Sequence, residues 1–68
     1  MKYFVIEIAS GDAKIAGKGI YEHDSEKAAV ASFHSKLGTA MKSDLYTADL
    51  ILAIDEHGKV IKREDYRA

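Results

Sequence analysis

The chain has 68 residues, with ten Lys and Arg against eleven Asp and Glu, and carries a formal net charge of −1. It has no cysteine, which excludes disulfides and thiolate metal sites. The two charge signs are interspersed, which argues against a general nucleic-acid binder. A chain of this length forms one domain, residues 1–68, buries only about 60% of its unfolded surface, and therefore gains from a partner chain.

Hydropathy along the chain predicts a cytoplasmic protein with no membrane span. The apolar run Leu50–Ile54 is far shorter than the about 18 residues of a spanning helix. The N-terminal stretch MKYFVIEIAS is interrupted by Glu7, whereas a signal peptide needs about seven or more consecutive apolar residues. The absence of cysteine also fits a reducing compartment.

Two strand-like segments precede the helical part of the chain. Lys2–Ala9 alternates with the period of two that a strand requires. Turn-forming residues follow, and a second strand is predicted over about Lys14–Glu22. Its glycines and lysines are typical of an edge strand, where they prevent pairing with other chains.

The stretch Asp24–Lys42 has the only long helical period, and the rest of the chain is organised around it. Asp24 or Ser25 is expected to cap its first turn. Gly38 leaves two possible ends, at Leu37 or at about Lys42, and we favour the longer helix because the apolar pattern continues. The apolar stripe comprises Val30, Phe33, Leu37 and Met41, with Ala29 and Ala40 beside it. His34 lies at its border, and its exposure stays open.

The last two strands are predicted over Tyr46–Asp55 and from Lys59 to about Asp65, joined by a turn that contains Gly58. The helix and a strand of eight residues both span about 27 Å, so the helix returns the chain to the opposite end of the sheet. Placing the two most apolar strands at the centre then gives an α+β fold of ββαββ type. Its four-stranded antiparallel sheet has the order 2-1-3-4, with one helix packed on one face.

The helix covers only one face of such a sheet. The predicted core joins the helical stripe to one set of alternating residues, namely Phe4, Ile6, Ile8, Leu50, Leu52 and Ile54. The other face would then remain uncovered, with Tyr3, Val5, Ile51 and Ala53 at its centre. An apolar patch on an uncovered face often marks a contact surface, so these residues are the predicted interaction surface.

No catalytic, cofactor-binding or metal-binding residues are predicted. The segment GDAKIAGKG differs from a phosphate-binding loop in glycine spacing, and no helix follows it. His23, His34 and His57 lack the spacing of a metal site. No nucleophile elbow is present, and a single helix on a small sheet offers no deep pocket. We therefore expect a protein that is not an enzyme and has no cofactor or metal.

Two functional hypotheses remain. The first is a non-enzymatic protein–protein interaction module that forms a homodimer, or binds another protein, through the uncovered sheet face or a strand edge. The alternative is a weak nucleic-acid-binding accessory protein that uses Lys14, Lys18 and Tyr21 of the second strand. Salt-sensitive binding of oligonucleotides would distinguish the alternative from the first hypothesis.

The segments MKYFVIEI, IYEHDSEKAAVASFHSKLGTAMK and LILAIDEHGKVIKRE together resemble a group of small uncharacterised bacterial proteins, some of them phage-associated. These share a strand pair, an alanine-rich helix containing Phe-His, and a closing hairpin. The resemblance extends over nearly the whole chain. It implies a bacterial or prophage origin and assigns no activity and no functional residues.

Overall fold

The computed structural model describes all residues, Met1–Ala68. Its elements are β1 (Tyr3–Gly11), β2 (Gly17–His23), α1 (Glu26–Lys42), β3 (Tyr46–Asp55) and β4 (Val60–Arg67). The strands form one antiparallel sheet in the order β2-β1-β3-β4. The predicted ββαββ fold and strand order are confirmed.

Helix α1 is capped by a side chain at its N-terminus and continues past its internal glycine. The Ser25 side chain accepts a hydrogen bond from the Ala28 amide at 3.1 Å, which satisfies one of the free donors of the first turn. Gly38 lies inside the helix, which continues to Lys42 as favoured from the sequence. No helix of the protein is both long enough and apolar enough to cross a bilayer.

Strand β2 is shorter than predicted because a compact turn precedes it. The Asp12 side chain accepts from the Lys14 amide at 2.9 Å, and its carbonyl accepts from the Ile15 and Ala16 amides at 3.0 and 2.9 Å. These bonds hold the backbone in a turn until Gly17, so Lys14 belongs to the loop. Strand β4, in contrast, extends to Arg67, which pairs with Ala48 of β3.

Three glycines have backbone conformations that other residues avoid, and two of them lie where the chain turns or packs closely. Gly58 has φ of +87° in the hairpin between β3 and β4, a left-handed position that glycine adopts without steric cost. Gly11 has φ of +143° and lies at a register shift between β1 and β3. A Cβ atom there would be 2.1 Å from the Leu45 carbonyl oxygen, so only glycine fits.

The helix covers the sheet face opposite to the predicted one. The core beneath it consists of five buried residues and two partly buried neighbours: Val5, Ala29, Phe33, Ile51 and Ala53, with Tyr3 and Leu37. The predicted interaction surface of Tyr3, Val5, Ile51 and Ala53 is therefore wrong, because it is the face on which α1 packs. The predicted helical stripe is right for Phe33 and Leu37 and wrong for Met41, which is 61% exposed.

Chain topology and side-chain size explain this placement. Strands β2 and β3 run parallel on either side of β1, so α1 is a crossover connection, and such connections are right-handed in nearly all proteins. Apolar residues occur on both faces of β1 and β3, so hydrophobicity alone does not decide which face the helix covers. The small Ala9 and Ala53 also let an alanine-rich helix approach closely, with Ala29 and Ala40 fully buried.

Candidate functional site

The face of the sheet away from α1 is an ordered apolar surface, which we call the outer face. Antiparallel partners point to the same side of a sheet, so the strand registers define three rows across it. The rows, read from β2 to β4, are Lys18-Ile8-Leu50-Asp65, Ile20-Ile6-Leu52-Arg63 and Glu22-Phe4-Ile54-Val60. Large apolar side chains fill the centre of every row.

Several outer-face side chains are strongly exposed for their size. Ile20 is 71% exposed, Val60 52% and Ile8 48%, while the remaining apolar members are half-buried by their neighbours on the sheet. A shallow depression of about 380 Å³ lies near the β2 edge, lined by Ile6, Ile8, Lys18, Gly19 and Ile20. Isolated exposed apolar residues are ordinary, but a contiguous patch spanning four strands is typical of a contact surface.

Charged residues lie at the edges of this patch, and only some of them form ion pairs within the chain. Glu22 on β2 forms an ion pair with Lys2 at 3.4 Å. Lys18, on the same edge, has no ion pair in the chain. On β4, Asp65 forms an ion pair with Arg67 at 3.4 Å. The outer face therefore has an apolar centre and an incompletely paired charged rim, as protein interfaces do.

The candidate nucleic-acid contacts are not brought together. Lys18 lies on the outer face, whereas Tyr21 pairs with Val5 and so lies on the helix-covered face. Lys14 is in the loop before β2. Stacking of bases next to phosphate contacts requires an aromatic and a basic side chain on one surface. These three residues do not form such a surface.

A cluster of five polar side chains lies under the second half of α1. We call it the carboxyl cluster, and its members are Glu7, Asp49, Lys36, Tyr21 and Tyr46. Asp49 is fully buried, and no protein group donates a hydrogen bond to either of its carboxylate oxygens. The Lys36 Nζ atom lies 4.0 Å from Glu7 Oε1 and 3.6 Å from the centre of the Tyr21 ring. Tyr66 of β4 is the cross-strand partner of Asp49.

Burial governs the protonation of the carboxyl cluster. Loss of hydration is the largest cause that raises the pKa of Asp49 from 3.8 to about 7, and the neighbouring Glu7 carboxyl is the second. Lys36 acts in the opposite direction and lowers this pKa. Burial, with smaller effects of Glu7 and Asp49, also raises the pKa of Tyr46. When Asp49 is protonated, its O–H can donate a hydrogen bond to the Glu7 carboxylate, whereas two ionised carboxylates cannot hydrogen-bond to each other. Asp49 thus titrates near neutral pH inside the core.

The carboxyl cluster does not have the arrangement of a catalytic centre. Asp49 is inaccessible, and the depression described above lies on the opposite side of the sheet. Of the histidines, His34 is exposed on α1, with its ring edge-on to Phe33 at 5.3 Å between ring centres. No three His, Asp or Glu side chains lie close enough together to hold a metal ion. The cluster is therefore part of the helix–sheet interface.

Sequence reasoning missed both the outer face and the carboxyl cluster for the same reason. Glu7 and Asp49 alternate in step with Val5 and Ile51, so they belong to the face that the sequence predicts to be uncovered, while the core is predicted from the other set of positions. One signal was present in the sequence. An acidic residue in the middle of each of the two most apolar strands is unusual, and Lys36 is the cation that α1 can bring to them.

Comparison with known proteins gives one partial match. A phosphotriesterase-related protein from Drosophila melanogaster is 38% identical over 61 residues, which cover 87% of this chain and 16% of that protein. The chain thus spans only 16% of the length of this curated relative, and the match does not define a family. No family model and no solved structure matches the chain.

Proposed function

We propose that this chain is a non-enzymatic protein–protein interaction module that forms a homodimer through the outer face of its sheet. The observation that carries the proposal is the uncovered apolar patch at the centre of that face, with Ile8 48% and Ile20 71% exposed. Covering this patch removes apolar surface from water, which is favourable by about 25 cal/mol per Å² before the cost of immobilising two chains. Because the core within one chain is small, burial of the outer face adds substantially to the apolar surface removed from water.

The size of the outer face is compatible with a small dimer interface. Four strands spaced about 4.8 Å apart, each about eight residues long, present a projected area of roughly 500 Å². A standard interface buries about 800 Å² of accessible surface per partner, and the corrugated surface of side chains exceeds its projection. The whole face, including its charged edges, is therefore the unit that a second copy covers.

Sedimentation equilibrium over a wide concentration range tests the proposal. We expect a monomer–dimer equilibrium for the natural sequence and a monomer for Leu52→Lys, which places a charge at the centre of the patch. Ala31→Lys is the matched control, because Ala31 is exposed on α1, away from the sheet. A monomer at every concentration for the natural chain contradicts the proposal. Dimers of Leu52→Lys as stable as those of the control indicate pairing through a strand edge.

Weak nucleic-acid binding through Lys14, Lys18 and Tyr21 is the alternative function. It has less support, because Lys18 and Tyr21 lie on opposite faces of β2. Fluorescence anisotropy with labelled single-stranded and double-stranded oligonucleotides at low salt checks it. Salt-sensitive binding that is weakened by Lys18→Ala would favour this alternative.

A further inference from the structure

We infer that two copies pack with their two-fold axis parallel to the strands, so that Lys18 of each copy forms an ion pair with Asp65 of the other. This inference rests on the proposed dimer and specifies how the second copy is oriented. It follows from the three rows of the outer face and from the positions of the charges at their ends.

Symmetry limits the ways in which two identical sheets can face each other. In a two-fold dimer the same patch is used on both subunits, and aligned sheets pack about 10 Å apart with their strands within about 30°. The two-fold axis then runs either along the strands or across them. An axis along the strands places each row over the same row of the second copy, in reversed order. An axis across them places the first row over the third.

With the axis along the strands, no two like charges face each other across the interface. Lys18 faces Asp65 of the second copy, because both belong to the row that contains Ile8 and Leu50. Arg63 faces Ile20, on which its aliphatic stem can pack while the guanidinium stays at the rim. In the centre, β1 of one copy lies over β3 of the other, so Ile6 packs on Leu52.

With the axis across the strands, the middle row lies over itself. Arg63 then faces Arg63 of the second copy, and like charges opposite each other at an interface are unfavourable. Lys18 would face Glu22, which, like Asp65, already has an ion pair at 3.4 Å within its own chain. Lys18 and Asp65 are both exposed, and Lys18 has no ion pair of its own. The charges therefore favour the axis along the strands.

Charge reversal with two different rescues tests the arrangement. Sedimentation equilibrium at low salt is measured for Lys18→Glu, for the double variant Lys18→Glu/Asp65→Lys, and for Lys18→Glu/Glu22→Lys. Circular dichroism verifies that each variant is folded. We expect Lys18→Glu to weaken the dimer on the order of tenfold, since two ion pairs become two repulsive pairs. Asp65→Lys should restore most of that loss, and Glu22→Lys should not.

Each other outcome overturns a defined part of the inference. Rescue by Glu22→Lys instead of Asp65→Lys assigns the axis across the strands. A dimer that is unaffected by Lys18→Glu places Lys18 outside the interface and rejects the arrangement. In both cases the proposed function survives, because the dimer still forms. A monomeric natural chain, in contrast, rejects the proposed function itself.

Discussion

Asp49 makes the stability of this domain depend on pH near neutrality. Its pKa is about 7 in the folded protein, against 3.8 for an ordinary Asp. Between these values the folded state binds more protons than the unfolded state, so the free energy of unfolding falls as pH rises. We expect the urea midpoint to decrease from about pH 4 to about pH 7 and to level off above that range. The pKa of Asp24 and of Asp55 is lowered by cationic or amide partners, and both titrate below this window.

Asp49→Asn is the control for this effect, because an amide has the shape of the protonated carboxyl and does not ionise. We expect this variant to lose the decrease between about pH 4 and pH 7. At pH 8 it should be more stable than the natural chain by on the order of 1–3 kcal/mol, the usual cost of a buried unpaired polar group. An equal slope in the variant and the natural chain would assign the pH dependence to other groups.

Gly38 and Gly11 are expected to respond in opposite ways to substitution by alanine, although both lie inside secondary structure. Nothing lies within 4 Å of a Cβ atom at Gly38, so Gly38→Ala should stabilise α1 by about 1 kcal/mol through helix propensity alone. For a domain of this size, the gain raises the melting temperature by about 4–8 °C. Gly11→Ala should prevent folding, because its Cβ atom would overlap the Leu45 carbonyl. Thermal melts monitored by circular dichroism compare the two variants.

Packing of α1 predicts unequal roles for two large residues of its expected apolar stripe. Phe33 is buried in the core, whereas Met41 is 61% exposed. Phe33→Ala should cost about 3–5 kcal/mol, which approaches the whole stability of a small domain. Met41→Ala should change stability by less than about 0.5 kcal/mol. Chemical denaturation of both variants checks this, and comparable losses would place the helix at a different rotation.

The elements and their order were predictable from the sequence because they depend on period and length. Alternation identifies β1 and β3, the helical period identifies α1, and their matched lengths require strands β1 and β3 to be antiparallel. The covered face was not predictable from hydrophobicity, since Val5 and Ile6 are equally apolar neighbours that point to opposite sides. The structure shows that the covered face is the one with small side chains, where Ala29 of α1 and Ala53 of β3 are both fully buried. The predicted interaction surface was wrong for the same reason, because the uncovered face is whichever face the helix does not pack on.

At the scale of the whole molecule, dimerisation couples stability to concentration. If folding and association through the outer face occur together, a hundredfold increase in concentration stabilises the folded dimer by about 2.7 kcal/mol. We expect the melting temperature of the natural chain to rise by several degrees over that range. Leu52→Lys should melt at one temperature throughout, because its helix–sheet core is intact and its outer face no longer associates. Differential scanning calorimetry of both chains, with Ala31→Lys as the control, makes the measurement. A concentration-independent transition in the natural chain would mean that the outer face contributes nothing to its stability.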